Sequence, residues 1–407
     1  MLDNVIIQAL AKVSLIFFLY ILLYYFFAGI ASTPHEGDSV AYHIPIAKSI
    51  VDGTFIHPHY TFDHDYFPGS FESILAVFMF LHIPLNLYNL CAIISLFFAT
   101  RYLAVVFGLK NSYAILFAVT ICTLNVILRW IQAQTVDIWL GSFYIFVLAL
   151  LYKPRDKTGY YVLIGFLLGM LIGTKYSGPL FVIGLLIFYG KNLFTYINFK
   201  RILLCILPIL LCGIFWYIRN YIAIGNPFYP LDTPFFKGLK GNSIIEIQVW
   251  KTLLLYPKEM FDAFLGEYMV WVATILVIPL LFIYRIRKKQ TISSPVKQLC
   301  MLSIFNFLIF LILPSGSSYQ LHVSQYRFSY PVFIPLILCV FLFAKEYKKE
   351  VMLAFLSIAS MFTLPSLSYH PKLLFLYIPL VYVVIFPDII LKVKAYFFQI
   401  IHKNSKR

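Results

Sequence analysis

Acidic and basic side chains that could do chemistry stand at the ends of long apolar runs. Glu36 and Asp38 lie in the stretch HEGDSVAYHIP, just after the first apolar run, and Asp137 lies in QTVDIWL. A carboxylate within hydrogen-bond reach of a hydroxyl group can act as a general base. Three basic residues occupy similar positions: Lys175 in GTKYSG, Arg219 in WYIRNYIAIGNPFYPL and Arg327 in QYRFSYP. Cations of this kind can stabilise an anion that develops during a reaction.

Each of these residues also has an ordinary structural interpretation. A single charge at the edge of a bilayer can reach the interface by snorkelling. Asp38 could have no role beyond that of a helix N-cap, because the apolar residues between Ser39 and Asp52 have helical spacing. Two acids and three bases at span ends on one predicted face nevertheless favour a shared site.

A second polar cluster, HPHYTFDHD, lies in the same region of the chain. Its His57, His59 and Asp63 could ligate a divalent metal ion. Their spacing matches no closed metal site, so a polar loop tip that shapes substrate entry is the favoured interpretation. The sequence requires no cofactor, and a divalent metal remains the one alternative.

The composition predicts an all-α polytopic membrane protein. Of the 407 residues, 61% are hydrophobic and only 12% are charged. The net charge of +15 comes from short Lys and Arg clusters between apolar runs, which is typical of cytoplasmic loops and argues against a nucleic-acid partner. All six Cys residues lie inside apolar runs, which predicts small core side chains and no disulfide.

Twelve membrane spans are predicted, and the distribution of basic residues orients them. The spans are 5–28, 87–106, 112–128, 137–152, 159–175, 177–190, 202–222, 268–285, 297–313, 327–344, 350–366 and 373–391. A thirteenth apolar run, 70–85, is short and polar in places. If it lies in the outer interface, 21 of the 32 basic residues fall in cytoplasmic loops and ten fall outside. Both termini are then cytoplasmic, and the acids of the first loop, 29–86, face outward.

The order of these motifs resembles the GT-C superfamily of membrane glycosyltransferases. It is most similar to the family 39 group of protein mannosyltransferases and aminoarabinose transferases, through EGDSVAYHIP, YFPGSFESI, QTVDIWL, GTKYSG and RNYIAIGNPFYP. The resemblance covers residues 1–240, which predicts a catalytic transmembrane module there. Residues 241–407 would form a variable transmembrane module with no separate soluble domain. Many members have Asp-Glu at the first motif, where this chain has Glu36-Gly37-Asp38.

The resemblance implies a fold and a reaction. The fold is the GT-C fold, with 12–13 transmembrane helices and interfacial helices in the first outer loop. The reaction is inverting transfer of a sugar from a polyprenyl-phosphate donor to a lipid, glycan or protein acceptor, in a bacterial inner membrane on its periplasmic face. Asp38 would be the general base, Glu36 a second acid, and Asp137 would orient the acceptor or hold a metal. The residues expected to bind substrate are Tyr42, His43, Lys175, Arg219, Asn220 and Arg327.

Two other functions stay open. An O-antigen polymerase or ligase also uses arginines on the outer face, although its large periplasmic loop usually comes late in the chain. A lipid-glycan transporter or flippase would need ionisable residues near the middle of its spans and paired repeat halves. The spans of this chain are nearly free of acids, and no repeat is visible.

Overall fold

The described part of the chain is built from helices. The computed structural model describes residues 2–56, 63–196, 198–238, 248–276, 278, 285, 293–314 and 324–361. Within these ranges there is no β-strand, only an isolated bridge between Gln248 and Pro314. The predicted span 373–391 and most of the span predicted over 268–285 lie outside the described residues.

The α-helices follow one another along the chain with short connections. They are α1 (Leu2–Ala31), α2 (Ile44–Val51), α3 (Glu72–Phe80), α4 (Tyr88–Val106), α5 (Asn111–Cys122), α6 (Asn125–Leu128), α7 (Asp137–Tyr152), α8 (Thr158–Ile172), α9 (Gly178–Leu193), α10 (Phe199–Ile209), α11 (Phe215–Ile224), α12 (Val249–Leu255), α13 (Pro257–Tyr268), α14 (Ser294–Ile312), α15 (Tyr330–Glu346) and α16 (Glu350–Met361). Short π-helical turns at Ser39–His43 and Leu210–Ile214 precede α2 and α11, and a 3-10 turn at Tyr326–Ser329 precedes α15.

Many of these helices can cross a membrane. Among the described residues, six are long and apolar enough: Asp3–Ala31, Leu85–Val106, Gly178–Tyr196, Phe199–Ile224, Ser294–Ile312 and Tyr326–Glu346. The shorter apolar helices α5, α7, α8 and α16 coincide with further predicted spans. Ten of the twelve predicted spans therefore fall on described apolar helices, which confirms an integral, all-α membrane protein.

The run 70–85 does not cross. Helix α3 has nine residues, or about 13 Å at 1.5 Å per residue, whereas a hydrocarbon core is about 30 Å thick. The helix predicted over 39–52 is also present, as the π-helical turn followed by α2. Asp38 occupies the predicted N-cap position of the π-helical turn, but its side chain makes no capping hydrogen bond. Glu36 accepts the backbone N–H groups of Asp38 and Ser39 instead.

The span predicted over 112–128 is interrupted. Helix α5 ends at Cys122, and α6 begins at Asn125. The hydroxyl of Thr123 donates to the carbonyl of Val119 at 2.8 Å, a bond that competes with the regular helix. The side-chain amide of Asn125 donates to the carbonyl of Gly266 at 2.8 Å, so the break joins this segment to α13.

The core lies around α7 and α15. Helix α7 packs against α4, α8 and α9, and α15 packs against α14 and α7. Large side chains such as Tyr144 on α7 and Phe341 on α15 are fully buried there. Helix α1 lies at the outside and exposes apolar side chains, including Ile16 at 68% and Phe27 at 66%. Such faces suit contact with lipid rather than water.

Glycines let α8 approach α10 and the π-helical turn that follows it. Gly165, Gly169 and Gly173 recur at intervals of four along one side of α8 and the residue after it. A Cβ atom on Gly169 would lie 2.7 Å from the carbonyl oxygen of Pro208, which is closer than van der Waals contact allows. Small residues of this kind allow the backbones of membrane helices to meet closely.

We predict that Gly169→Ala destabilises the protein by about 1–3 kcal/mol, because the added methyl group meets backbone rather than a flexible side chain. The matched control is Gly159→Ala in the same helix, where a Cβ atom would meet nothing within 4 Å. That control should be neutral or slightly stabilising. The measurement is the thermal unfolding midpoint in detergent, and equal midpoints for the two variants would contradict this account of the packing.

Candidate functional site

Four charged side chains form a continuous line with alternating sign. Asp38 forms an ion pair with the guanidinium of Arg327. The Nε atom of Arg327 lies 3.4 Å from Oδ2 of Asp137, and Nζ of Lys175 lies 2.8 Å from Oδ1 of Asp137. The structure therefore brings together four of the residues predicted from the sequence, although 289 positions separate Asp38 from Arg327. We call Asp38, Arg327, Asp137 and Lys175 the charged cluster.

Each member of the charged cluster stands at the end of a helical element. Asp137 is the first residue of α7, where the helix dipole favours a negative charge. Lys175 follows the end of α8, and Arg327 lies in the 3-10 turn before α15. The guanidinium of Arg327 also lies 4.8 Å from the ring of Trp130 and 5.0 Å from that of Phe328. Aromatic faces on this side shield the cation from water and hold it in place.

Burial differs along the charged cluster, and this separates the two acids. The side chains of Asp137 and Arg327 are 2% and 8% exposed, whereas that of Asp38 is 38% exposed. Asp137 lies between the cations Lys175 and Arg327, which balance its charge. It is therefore suited to positioning the cations. Asp38 is the acid that a substrate hydroxyl could reach.

The backbone beside Asp38 is held by its neighbours. Glu36 accepts the N–H groups of Asp38 and Ser39 at 3.1 and 2.7 Å, and it accepts the hydroxyl of Ser39 at 2.7 Å. The hydroxyl oxygen of Ser39 in turn accepts the backbone N–H of Gln134, three residues before Asp137, at 2.8 Å. Glu36 is thus engaged in orienting the turn that carries Asp38.

A buried pair, His43 and Glu72, lies next to the charged cluster. Nδ1 of His43 is 2.7 Å from a carboxyl oxygen of Glu72, and the two side chains are 0% and 2% exposed. Burial raises the pKa of Glu72 to about 8, although the nearby Lys175 lowers it. The ring of His43 lies 4.0 Å from that of Tyr42, which is half-buried. The pair joins α3 to the turn after Asp38.

Arg219 and Asn220 hold the first outer loop. The guanidinium of Arg219 donates to the side-chain oxygen of Asn220 at 3.0 and 2.7 Å and lies 4.9 Å from the ring of Trp216. It also reaches the carbonyls of Phe55, Asp65 and Phe67 at 3.4–3.5 Å. The side-chain amide of Asn220 donates to the carbonyl of Tyr66 at 2.7 Å. These contacts connect α11 to Phe55 and to residues 65–67 of the first outer loop.

The predicted metal ligands are only partly within the described residues. His57 and His59 lie outside them, and Asp63 begins a short 3-10 turn, Asp63–Tyr66. In the part of the chain that the structure describes, no three His, Cys, Asp or Glu side chains group closely enough to hold a metal ion.

Sequence reasoning missed several residues of this region. Glu72 is part of the motif YFPGSFESI, but the sequence predicts no role for it, nor for Ser39 or Trp130. The available signal for Glu72 was an acid inside an apolar run, which burial makes costly without a partner. That partner, His43, lies 29 positions away.

The fold agrees with that of a solved bacterial protein. Across 86% of this chain the structure aligns with the crystal structure of ArnT from Cupriavidus metallidurans in the apo state, with a TM-score of 0.56 and 15% sequence identity. The same ArnT bound to undecaprenyl phosphate aligns with a TM-score of 0.53 and 14% identity over 85% of this chain. The predicted GT-C fold is therefore confirmed.

The similarity does not extend over the whole of ArnT. The aligned region covers 64% and 63% of the two ArnT chains. An oligosaccharyltransferase from Archaeoglobus fulgidus, solved in complex with Zn and sulfate, aligns over 80% of this chain and 47% of its own at 14% identity, with a TM-score of 0.36 that is too low to indicate a shared fold. No protein-family model matches the chain, and no curated protein matches it.

We predict that protein stability falls between pH 5 and pH 8 because of Glu72. With a pKa of about 8 in the folded state against an ordinary value of 4.5, the folded protein binds this proton more tightly than the unfolded chain. The stability from Glu72 is fully present below about pH 4.5 and is lost as the pH rises through about 8. Glu72→Gln keeps a polar partner for His43 and cannot titrate, so the thermal midpoint should vary less with pH.

The control for this test is Asp52→Asn, which changes an exposed acid of the same outer loop. It should leave the pH dependence of the midpoint unchanged. A Glu72→Gln protein with the same slope as the original protein would show that another group causes the loss.

Proposed function

We propose that this protein is an inverting membrane glycosyltransferase with a polyprenyl-phosphate-linked sugar as donor. The observation that carries the proposal is the accessible carboxylate of Asp38, paired with Arg327 at the end of a network buried around Asp137. A general base beside cations is what sugar transfer from a lipid phosphate requires. The fold shared with ArnT, a protein solved bound to undecaprenyl phosphate, supports a lipid carrier of the same class.

In the proposed reaction, Asp38 takes the proton from a hydroxyl group of the acceptor. The hydroxyl oxygen forms a bond to the anomeric carbon of the sugar from the face opposite the phosphate. The bond between that carbon and the phosphate oxygen breaks, and its electron pair leaves with the polyprenyl phosphate. The anomeric configuration is thereby inverted, and the proton ends on Asp38.

Arg327 and Lys175 are the cations proposed to meet the departing phosphate. Arg327 uses Nη2 for Asp38 and approaches Asp137 with Nε, while Nη1 has no hydrogen-bond partner among the described residues. The side chain of Lys175 is 20% exposed and uses one of its three N–H bonds for Asp137. Both cations therefore keep donor capacity for a phosphate oxygen.

The remaining predicted site residues have supporting roles in this proposal. Tyr42 offers a half-buried ring beside Asp38 for contact with the sugar or the acceptor. The ring of His43 contacts that of Tyr42, and Glu72 holds His43 in place. Arg219 and Asn220 order the outer loop that leads to α3. Arg219 is also proposed to contact the donor phosphate.

The proposed active site faces the periplasm or the outside. At the opposite end of the bundle, Arg101 bonds to Asn111, Arg155 bonds to Tyr102, and Arg201 pairs with Asp156. Basic residues accumulate on the cytoplasmic side of membrane proteins. This distribution supports a bacterial inner membrane with the charged cluster outward. The acceptor class, a lipid, glycan or protein, follows from the resemblance alone.

The first test is Asp38→Asn. Asparagine keeps the size of the side chain but cannot accept the proton, so we expect transfer to slow by about 10²–10⁴-fold. The protein should still insert and unfold at a similar temperature. The measurement is release of polyprenyl phosphate and formation of glycosylated product, by mass spectrometry, with a panel of polyprenyl-phosphate sugars and host membranes as acceptor source.

The comparison variant for Asp38 is Glu36→Gln, which loses part of the backbone capping described above. It should lower the thermal midpoint. At a temperature where the protein is folded, it should slow transfer less than Asp38→Asn does. An inactive Glu36→Gln with an active Asp38→Asn would assign the base to Glu36. Activity in both variants would exclude this loop from the chemistry.

The second test is Arg219→Lys, which keeps the charge and removes the planar fork that suits a phosphate. We expect a rise in the KM for the donor with little change in the KM for the acceptor. An unchanged donor KM together with a lower thermal midpoint would restrict Arg219 to holding the outer loop at Phe55, Asp65 and Phe67. The donor phosphate would then be bound by Lys175 and Arg327.

A further inference from the structure

A cavity of about 280 Å³ lies at the far end of the bundle from the charged cluster. Asn4 and Gln8, in the first turns of α1, form one wall of it, and Tyr113 of α5 forms another. Helix α1 has 30 residues and is about 45 Å long. The residue after its opposite end, Ser32, is bonded to Asn86 on the side of the charged cluster. The cavity and the charged cluster therefore belong to opposite membrane faces.

Two lysines border the cavity, and both bond to neutral oxygen atoms. Nζ of Lys110 donates to the side-chain oxygen of Asn4 at 3.0 Å, and Nζ of Lys345 donates to the carbonyl of Gly108 at 2.6 Å. Each ammonium group has three donors, so each keeps donors for a ligand. Glu350 is the one carboxylate among the lining residues, which leaves a formal charge of +1.

The start of α5 adds further donors. Lys110 is the N-cap residue of this 12-residue helix and makes no capping hydrogen bond with its side chain. The first N–H groups of a helix have no partner inside it, and the helix dipole favours an anion there. Ser112 and Asn111, in this first turn, line the cavity. A phosphate oxygen suits such a helix end.

The hydroxyl of Tyr113 gives an independent indication of a ligand. The side chain is 3% exposed and lines the cavity, yet its hydroxyl has no hydrogen-bond partner among the described residues. A buried hydroxyl without a partner destabilises a protein. A polar group bound in the cavity would remove that cost.

We propose that this cavity binds the headgroup of an anionic phospholipid with a hydroxylated headgroup, such as phosphatidylglycerol. Lys110, Lys345 and the start of α5 bind the phosphate diester. The carboxylate of Glu350 accepts hydrogen bonds from the glycerol hydroxyls, and the amide of Gln8 can donate to them or accept from them. A lipid is favoured over a free phosphate ion because α1, which lines the cavity with Asn4, Ile7 and Gln8, also exposes apolar side chains in the same part of the helix, including Val5 at 57% and Val13 at 47%. An acyl chain could lie against this apolar part of α1.

The test measures the thermal midpoint of the full-length protein in nanodiscs of phosphatidylcholine, with and without phosphatidylglycerol, and with inorganic phosphate added to phosphatidylcholine alone. A ligand that binds only the folded state raises the midpoint. We expect phosphatidylglycerol to raise it and phosphate to have little effect. Removing both cations, as Lys110→Ala with Lys345→Ala, should weaken the apparent affinity for phosphatidylglycerol roughly thirtyfold. Lys157→Ala with Lys191→Ala, at exposed positions away from the cavity, should change it little.

Tyr113→Phe tests the site without removing a charge. If the hydroxyl lacks a protein partner, the variant should be at least as stable as the original protein without phosphatidylglycerol and should gain less from it. A lower midpoint without lipid would mean that the hydroxyl already has a partner, and it would overturn the proposal. A gain that survives the double lysine substitution would overturn it as well. An equal gain with inorganic phosphate would assign the cavity to a free ion instead.

Discussion

The buried carboxylate of Asp137 is the constraint on which the site depends. It is 2% exposed and lies between Lys175 and Arg327. Removing one partner of a buried ion pair typically costs about 3–5 kcal/mol, because the remaining charge stays in a poor environment. The start of α7, the end of α8 and the turn before α15 therefore have to meet at one point. The helix packing around α7 is the arrangement that allows it.

Polar contacts fix the outer loop to this point. Glu36 and Ser39 hold the turn at Asp38, and the N–H of Gln134 ties that turn to the segment before α7. On the other side, Arg219 and Asn220 donate to the carbonyls of Asp65 and Tyr66. The loop thus receives its geometry from the membrane helices beneath it, which lets an exposed acid keep a defined position.

The sequence was sufficient to predict what depends on local pattern. Apolar runs located the helices, and charges at their ends located Asp38, Asp137, Lys175 and Arg327. It could not predict what depends on tertiary contact. The capping role of Glu36 follows from backbone geometry, and the helix break after Cys122 involves the bond of Asn125 to Gly266 in α13. The pairing of His43 with Glu72 joins two elements whose separation along the chain leaves no periodic signal.

The order of the charges along the chain has a consequence for biogenesis. Asp38, Asp137 and Lys175 are synthesised before Arg327. Arg327 comes 152 positions after Lys175, which takes roughly 8–30 s at about 5–20 residues per second. During that interval Asp137 can pair with Lys175 but not with Arg327, and Asp38 lacks the pairing with Arg327. Insertion of the turn before α15 is thus the step that neutralises the cluster. Completion of the charged cluster is coupled to the entry of the late helices into the membrane.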